Sequence, residues 1–259
     1  MKIGCAINTS SGLATELCAS LGYDFLLIDQ QHSAIDPEKL RYLLTAAQAA
    51  GSKTIVRVGS AYDRVGIQQA LDMGSDGILI PCSRTAADVK NAISCSKYPV
   101  TGPGSEGGTR SVYVNLRPQF PGGFPALFDY VQHRGNAETI IAAQIETKDA
   151  LDNIEEICAL DGLDIAFIGP GDLCTDMGLV KKYGLPNCFG SEEFGAAVVK
   201  IAETCKKNNK IAGFWNSDVE AQGKLGFRFM VVDGDIHAMQ AALQTSIAEK
   251  REKIKAAAM

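Results

Sequence analysis

The sequence predicts an α/β chain folded as a (β/α)8 TIM barrel, and three observations carry that prediction. Eight short runs rich in β-branched and apolar residues recur along the 259 residues, longer amphipathic segments separate them, and polar residues close several runs at intervals near one strand-helix unit. Near-continuous apolar strands alternating with helices belong to a parallel sheet covered on both faces or closed on itself. Eight such units in a chain of this length favour the closed barrel over an open sheet.

In chain order the strands are expected at "KIGCAIN", "DFLLID", "KTIVRV", "GILIPC", "TIIAAQIE", "DIAFIGP", "KIAGFW" and "FRFMVVD". After the second comes "PEKLRYLLTAAQAAG", where Asp36 is placed to cap a helix, Pro37 fits its first turn and Gly51 fits its stop. "TKDALDNIEEICAL" and "EEFGAAVVKIAETCKKNN" have the same helical character. One connection breaks the pattern: residues 98–136 exceed a single unit, and long structureless connections serve as lids, binding loops or subunit contacts. The tail "TSIAEKREKIKAAAM" reads as a polar helix packing on a neighbouring subunit. Residues 1–259 are thus expected to form one barrel domain with an insertion at about 98–136.

Apolar residues make up 46% of the chain and charged residues 21%, which supplies a core and excludes a disordered chain. A net charge of −5 without long single-sign runs gives no electrostatic footprint for nucleic acid or an anionic membrane. The N-terminus lacks the continuous apolar stretch of a signal peptide and no window reaches the length of a membrane span, so the expected location is cytoplasmic. The eight cysteines (Cys5, Cys18, Cys82, Cys95, Cys158, Cys174, Cys188, Cys205) form no C-x-x-C pair and read as small hydrophobes in a reducing compartment.

In such a barrel the C-terminal strand ends face the active site, and here they are polar. "DFLLID" ends in Asp29 with His32 beyond, "TIVRV" carries Arg57, "IAAQIE" delivers Gln144 and Glu146, and "AFIGPGD" leads to Asp172. Neighbouring parallel strands lie about 4.8 Å apart, so Glu146 and Asp172 can converge on one cation, and two carboxylates suit Mg²⁺ or Mn²⁺ better than Zn²⁺. The alternative is that Glu146 caps the next helix and Asp172 its own loop. Gly169, Pro170 and Gly171 form either a backbone cradle for a carboxylate or an ordinary glycine-rich turn. Arg57 either grips an oxyanion in forked geometry or pairs with a rim acid. Asp29 precedes His32 closely enough to orient its imidazole for general acid–base work. His133 and His237 have no such company and read as structural.

Two patterns are set aside. "GPGSEGG" satisfies G-x-G-x-x-G through Gly102, Gly104 and Gly107, but no strand leads into it and no helix follows, so it reads as a loop. Cys82 follows Pro81 at a strand end without a histidine nearby in sequence, and reads as a buried thiol. No lysine stands at a rim position, which weakens any Schiff-base chemistry.

"FLLIDQQH", "VRV", "GILIPC", "QIET" and "FIGPGDLCTDMG" together resemble, in order and spacing, the HpcH/HpaI-type class II, metal-dependent 2-oxo-acid aldolases of the phosphoenolpyruvate/pyruvate barrel superfamily. The resemblance spans most of the chain. It implies that Glu146 and Asp172 hold a divalent metal, that Arg57 binds the 2-oxo acid and stabilises its enolate, and that His32 with Asp29 is an acid–base dyad. It places Gln144 beside the metal or substrate and the Gly171 and Asp172 amides at the pyruvyl carboxylate, and it implies a homo-oligomer, trimer or hexamer, with an exchanged C-terminal helix. Three departures bear on the substrate: Gln31 stands where the family commonly has Glu, Trp215 is bulkier than the usual small aliphatic run, and residues 98–136 are enlarged, although their "GGTRS" resembles the family's Gly-x-Arg-Gly loop and makes Arg110 a second candidate anion contact. The expected activity is reversible cleavage of a 4-hydroxy-2-oxo acid to pyruvate and an aldehyde. Rival readings are an oxaloacetate decarboxylase resembling macrophomate synthase, a CoA-ester lyase, and a non-catalytic barrel that binds a 2-oxo acid.

Overall fold

Strand-forming runs of alternating inward and outward residues close on themselves here, as the apolar pattern requires. The computed structural model describes residues 1–102, 106–112 and 123–257. Its strands are β1 (Lys2–Ile7), β2 (Phe25–Asp29), β3 (Lys53–Arg57), β4 (Gly77–Ile80), β5 (Ile140–Ile145), β6 (Ile165–Ile168), β7 (Ile211–Trp215) and β8 (Phe229–Gly234). They pair in parallel in sequence order, and β8 returns to β1, giving a closed eight-stranded barrel. All eight expected strands are present.

The helices among the described residues are α1 (Gly12–Ser20), α2 (Pro37–Ala49), α3 (Arg64–Asp72), α4 (Ala86–Ser96), α5 (Phe124–His133), α6 (Gly135–Glu138), α7 (Lys148–Asp152), α8 (Ile154–Cys158), α9 (Pro170–Asp176), α10 (Leu179–Tyr183), α11 (Glu192–Lys207), α12 (Val219–Leu225) and α13 (Asp235–Ala257). Outward residues such as Leu26, Ile28, Val56, Ile78, Ile141 and Ile168 pack beneath them. Inward residues form a second, smaller core of Ala6, Phe25, Leu27, Ile55, Leu79, Ala142, Phe167 and Val231. The same inward alternation carries Asp29, Arg57 and Gln144 to the C-terminal mouth.

The α2 caps are as expected: the Asp36 side chain accepts from Lys39 N, Pro37 opens the helix, and Gly51 follows it with φ of 77°. "TKDALDNIEEICAL" departs from expectation, because it forms α7 and α8 and not one helix. Asn153 sits between them at φ −91° and ψ 12°, away from helical dihedrals, and its side chain donates to the Arg84 carbonyl at 3.0 Å.

The connection at 98–136 is not structureless throughout, since α5 and the start of α6 lie within it. Leu127, Tyr130 and Val131 of α5 pack with Tyr98 in a core of their own. The segment 106–112 lies along α3 and α4, with Thr109 N donating to Ser94 O at 2.8 Å and Arg64 Nη2 to Thr109 O at 2.8 Å. Residues 103–105 and 113–122, including Gly104, lie outside the described residues. The expected tail helix begins earlier than predicted: α13 runs 23 residues from Asp235 to Ala257, and none of them is buried. No helix among the described residues is long and apolar enough to cross a membrane.

Candidate active site

Register alone sets the first pair of the site. Asp29 at the end of β2 lies opposite Arg57 at the end of β3, and both side chains are buried. The guanidinium binds the carboxylate in a fork, Nε to Oδ1 at 2.8 Å and Nη2 to Oδ2 at 2.7 Å. Three further donors reach Asp29: Gln31 N at 3.0 Å, His32 N at 3.3 Å and Asn8 Nδ2 at 2.9 Å. Burial alone would push this carboxyl up, but Arg57 and the His32 and Gln31 amides together hold it below its ordinary value.

This arrangement corrects the expected dyad. Asp29 meets His32 through the histidine's backbone N–H only, while the imidazole is exposed and has no hydrogen bond to the described residues. The planar guanidinium fork takes one donor to each oxygen of the carboxylate and so occupies the face an imidazole would need. Of the two readings left open for Arg57, the ion pair with a rim acid is realised. It uses Nε and Nη2, leaves Nη1 without a partner among the described residues, and sets the guanidinium 5.6 Å from the Trp215 ring at the end of β7.

The second cluster stands at the ends of β4, β5 and β6. Glu146 is 2% exposed; its Oε1 accepts from Cys82 N at 2.6 Å and its Oε2 from Gln144 Nε2 at 2.5 Å. Cys82 reaches this position at φ 53°, a left-handed conformation that is costly for a residue with a side chain. Gly169 completes the cradle, since a Cβ there would lie 2.6 Å from Glu146 Oε2 and 2.5 Å from Gln144 Nε2. Burial pushes the Glu146 carboxyl up and the charge of Asp172 adds to the rise, against the opposing Cys82 amide and Arg57. Asp172 is exposed in the first turn of α9, directly after Gly171, where a Cβ would meet nothing within 4 Å.

These residues fit a divalent cation. A buried carboxylate made uncomfortable by a second carboxylate is relieved by positive charge, and an all-oxygen pair suits a hard ion that keeps waters and substrate oxygens as its other ligands. Gln144 Oε1 is buried without a partner beside the pair. Among the described residues no group of three or more His, Cys, Asp and Glu gathers to hold a metal without such help.

Arg110 is not brought to this mouth. It is 2% exposed at the far end of α3, where Nη2 binds Asp72 Oδ1 at 2.7 Å and the guanidinium lies 4.5 Å from the Tyr98 ring. Cys82, expected to be buried, is exposed at the rim, and its Sγ accepts from Gln31 Nε2 at 3.5 Å. Asn8 was missed, although "KIGCAIN" ends in a polar residue as its neighbours do; the Cys82 amide and the Gly169 cradle left no signal in the sequence. His133 pairs with Asp129 on the surface at 3.1 Å, and His237 lies in α13.

The model of the HpcH/HpaI aldolase/citrate lyase family matches residues 2–228. The chain is 37% identical over 195 residues to a 4-hydroxy-2-oxovalerate aldolase of Novosphingobium aromaticivorans, covering 74% of this chain and 68% of that one. It is 31% identical to a hydroxypyruvate/pyruvate aldolase of Sagittula stellata, with 96% and 92% covered. Among solved structures, an HpcH/HpaI aldolase/citrate lyase family protein from Burkholderia cenocepacia superimposes with a TM-score of 0.83 at 26% identity, over 96% of this chain and 94% of that one.

Proposed function

The chain belongs to the HpcH/HpaI aldolase/citrate lyase family, and from that premise we propose that it catalyses the reversible cleavage of a 4-hydroxy-2-oxo acid to pyruvate and an aldehyde. The observation that carries this reading is the convergence, at one barrel mouth, of a forked Arg57–Asp29 pair with the buried Glu146 and the nearby Asp172. Cleavage of the C3–C4 bond leaves an enolate, so the site must receive a carboxylate and a developing oxyanion. Glu146 and Asp172 would hold Mg²⁺ or Mn²⁺, which would supply Lewis-acid polarisation of the 2-oxo group.

The chain's own residues do the rest. Arg57, with Nη1 still available and its plane fixed by Asp29, neutralises the developing oxyanion. Gln144 fixes the Glu146 carboxylate, and Gly171 keeps the approach to the first turn of α9 open. His32, exposed at the mouth, moves the proton between the 4-hydroxyl and solvent. Trp215 walls the site across the barrel from Arg57. We also propose a homo-oligomer: Ile236, Met239, Leu243 and Ile247 form an exposed stripe on α13, and Leu13, Leu17 and Leu21 form another on and just beyond α1.

The test follows pyruvate release from a panel of 4-hydroxy-2-oxo acids and from oxaloacetate, using EDTA-treated protein before and after adding Mg²⁺ or Mn²⁺. Release that requires the cation and favours hydroxy acids supports the aldolase. Release from oxaloacetate alone moves the assignment to a decarboxylase.

A further inference from the structure

Asn8 follows β1 at the mouth, and its amide has a fixed orientation. Nδ2 donates to Asp29 Oδ2 at 2.9 Å and to Ser33 Oγ at 3.1 Å, whereas Oδ1 is buried without a partner. The flipped amide would press Oδ1 against the Asp29 carboxylate, so the chemistry decides which way it points. Behind it, Asp235 at the start of α13 grips the same turn: Oδ1 accepts from Asn8 N at 2.9 Å, and Oδ2 accepts from Thr9 N at 3.0 Å and Thr9 Oγ1 at 2.6 Å. An unbroken series of hydrogen bonds therefore runs from the C-terminal helix through Asn8 and Asp29 to Arg57.

The two oxygens of Asp29 are held unequally. Oδ1 accepts from Arg57 Nε and from the Gln31 and His32 amides, but among the described residues Oδ2 has only Arg57 Nη2 and Asn8 Nδ2. Without Asn8 the carboxylate is free to turn about its Oδ1 contacts, and the guanidinium that shares its plane turns with it. We propose that Asn8, itself held by Asp235, is a positioning residue for Arg57. It acts through Asp29, and it links the geometry of the oxyanion site to the root of α13. The inference rests on the aldolase reading for Arg57's role toward substrate, but the positioning can be tested separately.

The experiment compares full-length wild type, Asn8→Ala, Asn8→Asp and Asp235→Asn with Mg²⁺ present. It reads steady-state pyruvate release, calorimetric binding of pyruvate, and hydrogen exchange of the Arg57 Nε–H by nitrogen-15 NMR, with thermal melts to establish folding. Misplacing a binding group by about 1 Å can cost on the order of 100-fold. Asn8→Asp is expected to be the worst variant although it is isosteric, because it sets a second carboxylate against Asp29. It should lower kcat/KM by at least about ten-fold with most of the loss in kcat, because an oxyanion contact strengthens in the transition state, weaken pyruvate binding, and speed exchange at Arg57. Asn8→Ala should follow it and Asp235→Asn should be mildest.

A packing role alone predicts the reverse order, with isosteric Asn8→Asp milder than Asn8→Ala, and that order overturns the inference. Unchanged Arg57 exchange in all three folded variants overturns it as well. If the wild type neither binds nor releases pyruvate, the aldolase reading fails, while the exchange rates still decide the positioning of Arg57.

Discussion

The two ends of the barrel carry acids in similar numbers and use them differently. At the N-terminal end, Asp24, Asp76 and Asp164 each clamp the start of the strand before their own: Asp24 donates N–H to Ile3 O at 2.8 Å and accepts from Ile3 N at 2.9 Å. Asp76 does the same with Thr54, at 2.9 and 2.9 Å, and Asp164 with Ile141, at 2.9 and 2.8 Å. Lys2 and Lys53 complete the first two from the surface. At the C-terminal end, Glu146 has no cation of its own among its hydrogen-bond partners, and Asn8 Oδ1, Gln31 Oε1 and Gln144 Oε1 are buried without partners, against Thr54 Oγ1 beside the N-terminal clamps. Asp24 is held below its ordinary value by its partners, whereas burial pushes both Asp164 and Glu146 up; what sets Glu146 apart is the second carboxylate, Asp172, whose charge adds to the rise.

The largest effect expected from this contrast is at Asp29, a mouth carboxylate that its partners hold below its ordinary value. Breaking a buried ion pair by removing one member costs about 3–5 kcal/mol, so Asp29→Asn should lose stability on that scale together with activity. Because the folded-state carboxyl lies below its ordinary value, its contribution is present above the unfolded pKa and is lost as pH falls through the folded one. Urea unfolding across a pH series should therefore show the full gap between wild type and variant at neutral pH and a gap that narrows steadily as pH falls below the ordinary carboxylate range. A gap that stays constant as pH falls would show that the pair is not what stabilises this corner.

Glu146→Gln should divide the two properties. If Glu146 holds the cation as proposed, its loss removes stabilisation comparable to deleting a single oxyanion donor, about 10²–10³ in rate, so pyruvate release should fall at least that far. Stability should not fall with it: a carboxyl raised by burial and by Asp172 opposes folding above its unfolded pKa, and the neutral amide removes that opposition. The cation-free melting temperature at pH 8 should be unchanged or higher. A clear drop would place Glu146 among the structural acids.

At the other end the signs reverse. Asp76→Ala leaves the Thr54 N–H without its side-chain acceptor, and an unsatisfied buried donor costs about 1–3 kcal/mol. The melting temperature should fall while kcat/KM, measured well below it, stays at the wild-type value. An equal loss of kcat/KM would mean that the two rims are coupled through the strands.

Most of the fold was legible because apolar alternation and helix caps are local signals; the eight strands and the Asp36, Pro37 and Gly51 punctuation of α2 all appear where the pattern puts them. The N-terminal clamps were legible too but went unread, in the repeated Gly-x-Asp of Gly22–Asp24, Gly74–Asp76 and Gly162–Asp164, whose glycines have φ of 95°, 108° and 83°. The site was legible as a set of strand ends and not as a set of partners. Spacing brought Asp29 within reach of His32, but only the β2–β3 register shows that Arg57 is nearer in the geometry that matters. The GGTRS similarity that singled out Arg110 carried no information about which end of α3 it would meet.

The smallest expected effect sharpens the comparison most. The Lys2 hydrogen bond contributes most to holding the Asp24 carboxyl below its ordinary value, with the Ile3 amide second. Yet the Lys2 side chain is 69% exposed, so water replaces it when it is removed, whereas nothing replaces the strand-start amide. Exposed ion pairs are worth roughly 0–1 kcal/mol. Lys2→Ala should therefore cost far less stability in urea unfolding than Asp24→Ala, and moderate salt should shrink the remaining difference from wild type. Should the lysine variant lose as much as the aspartate variant, the N-terminal acids are held by surface charge and not by backbone, and the contrast between the two rims loses its physical basis.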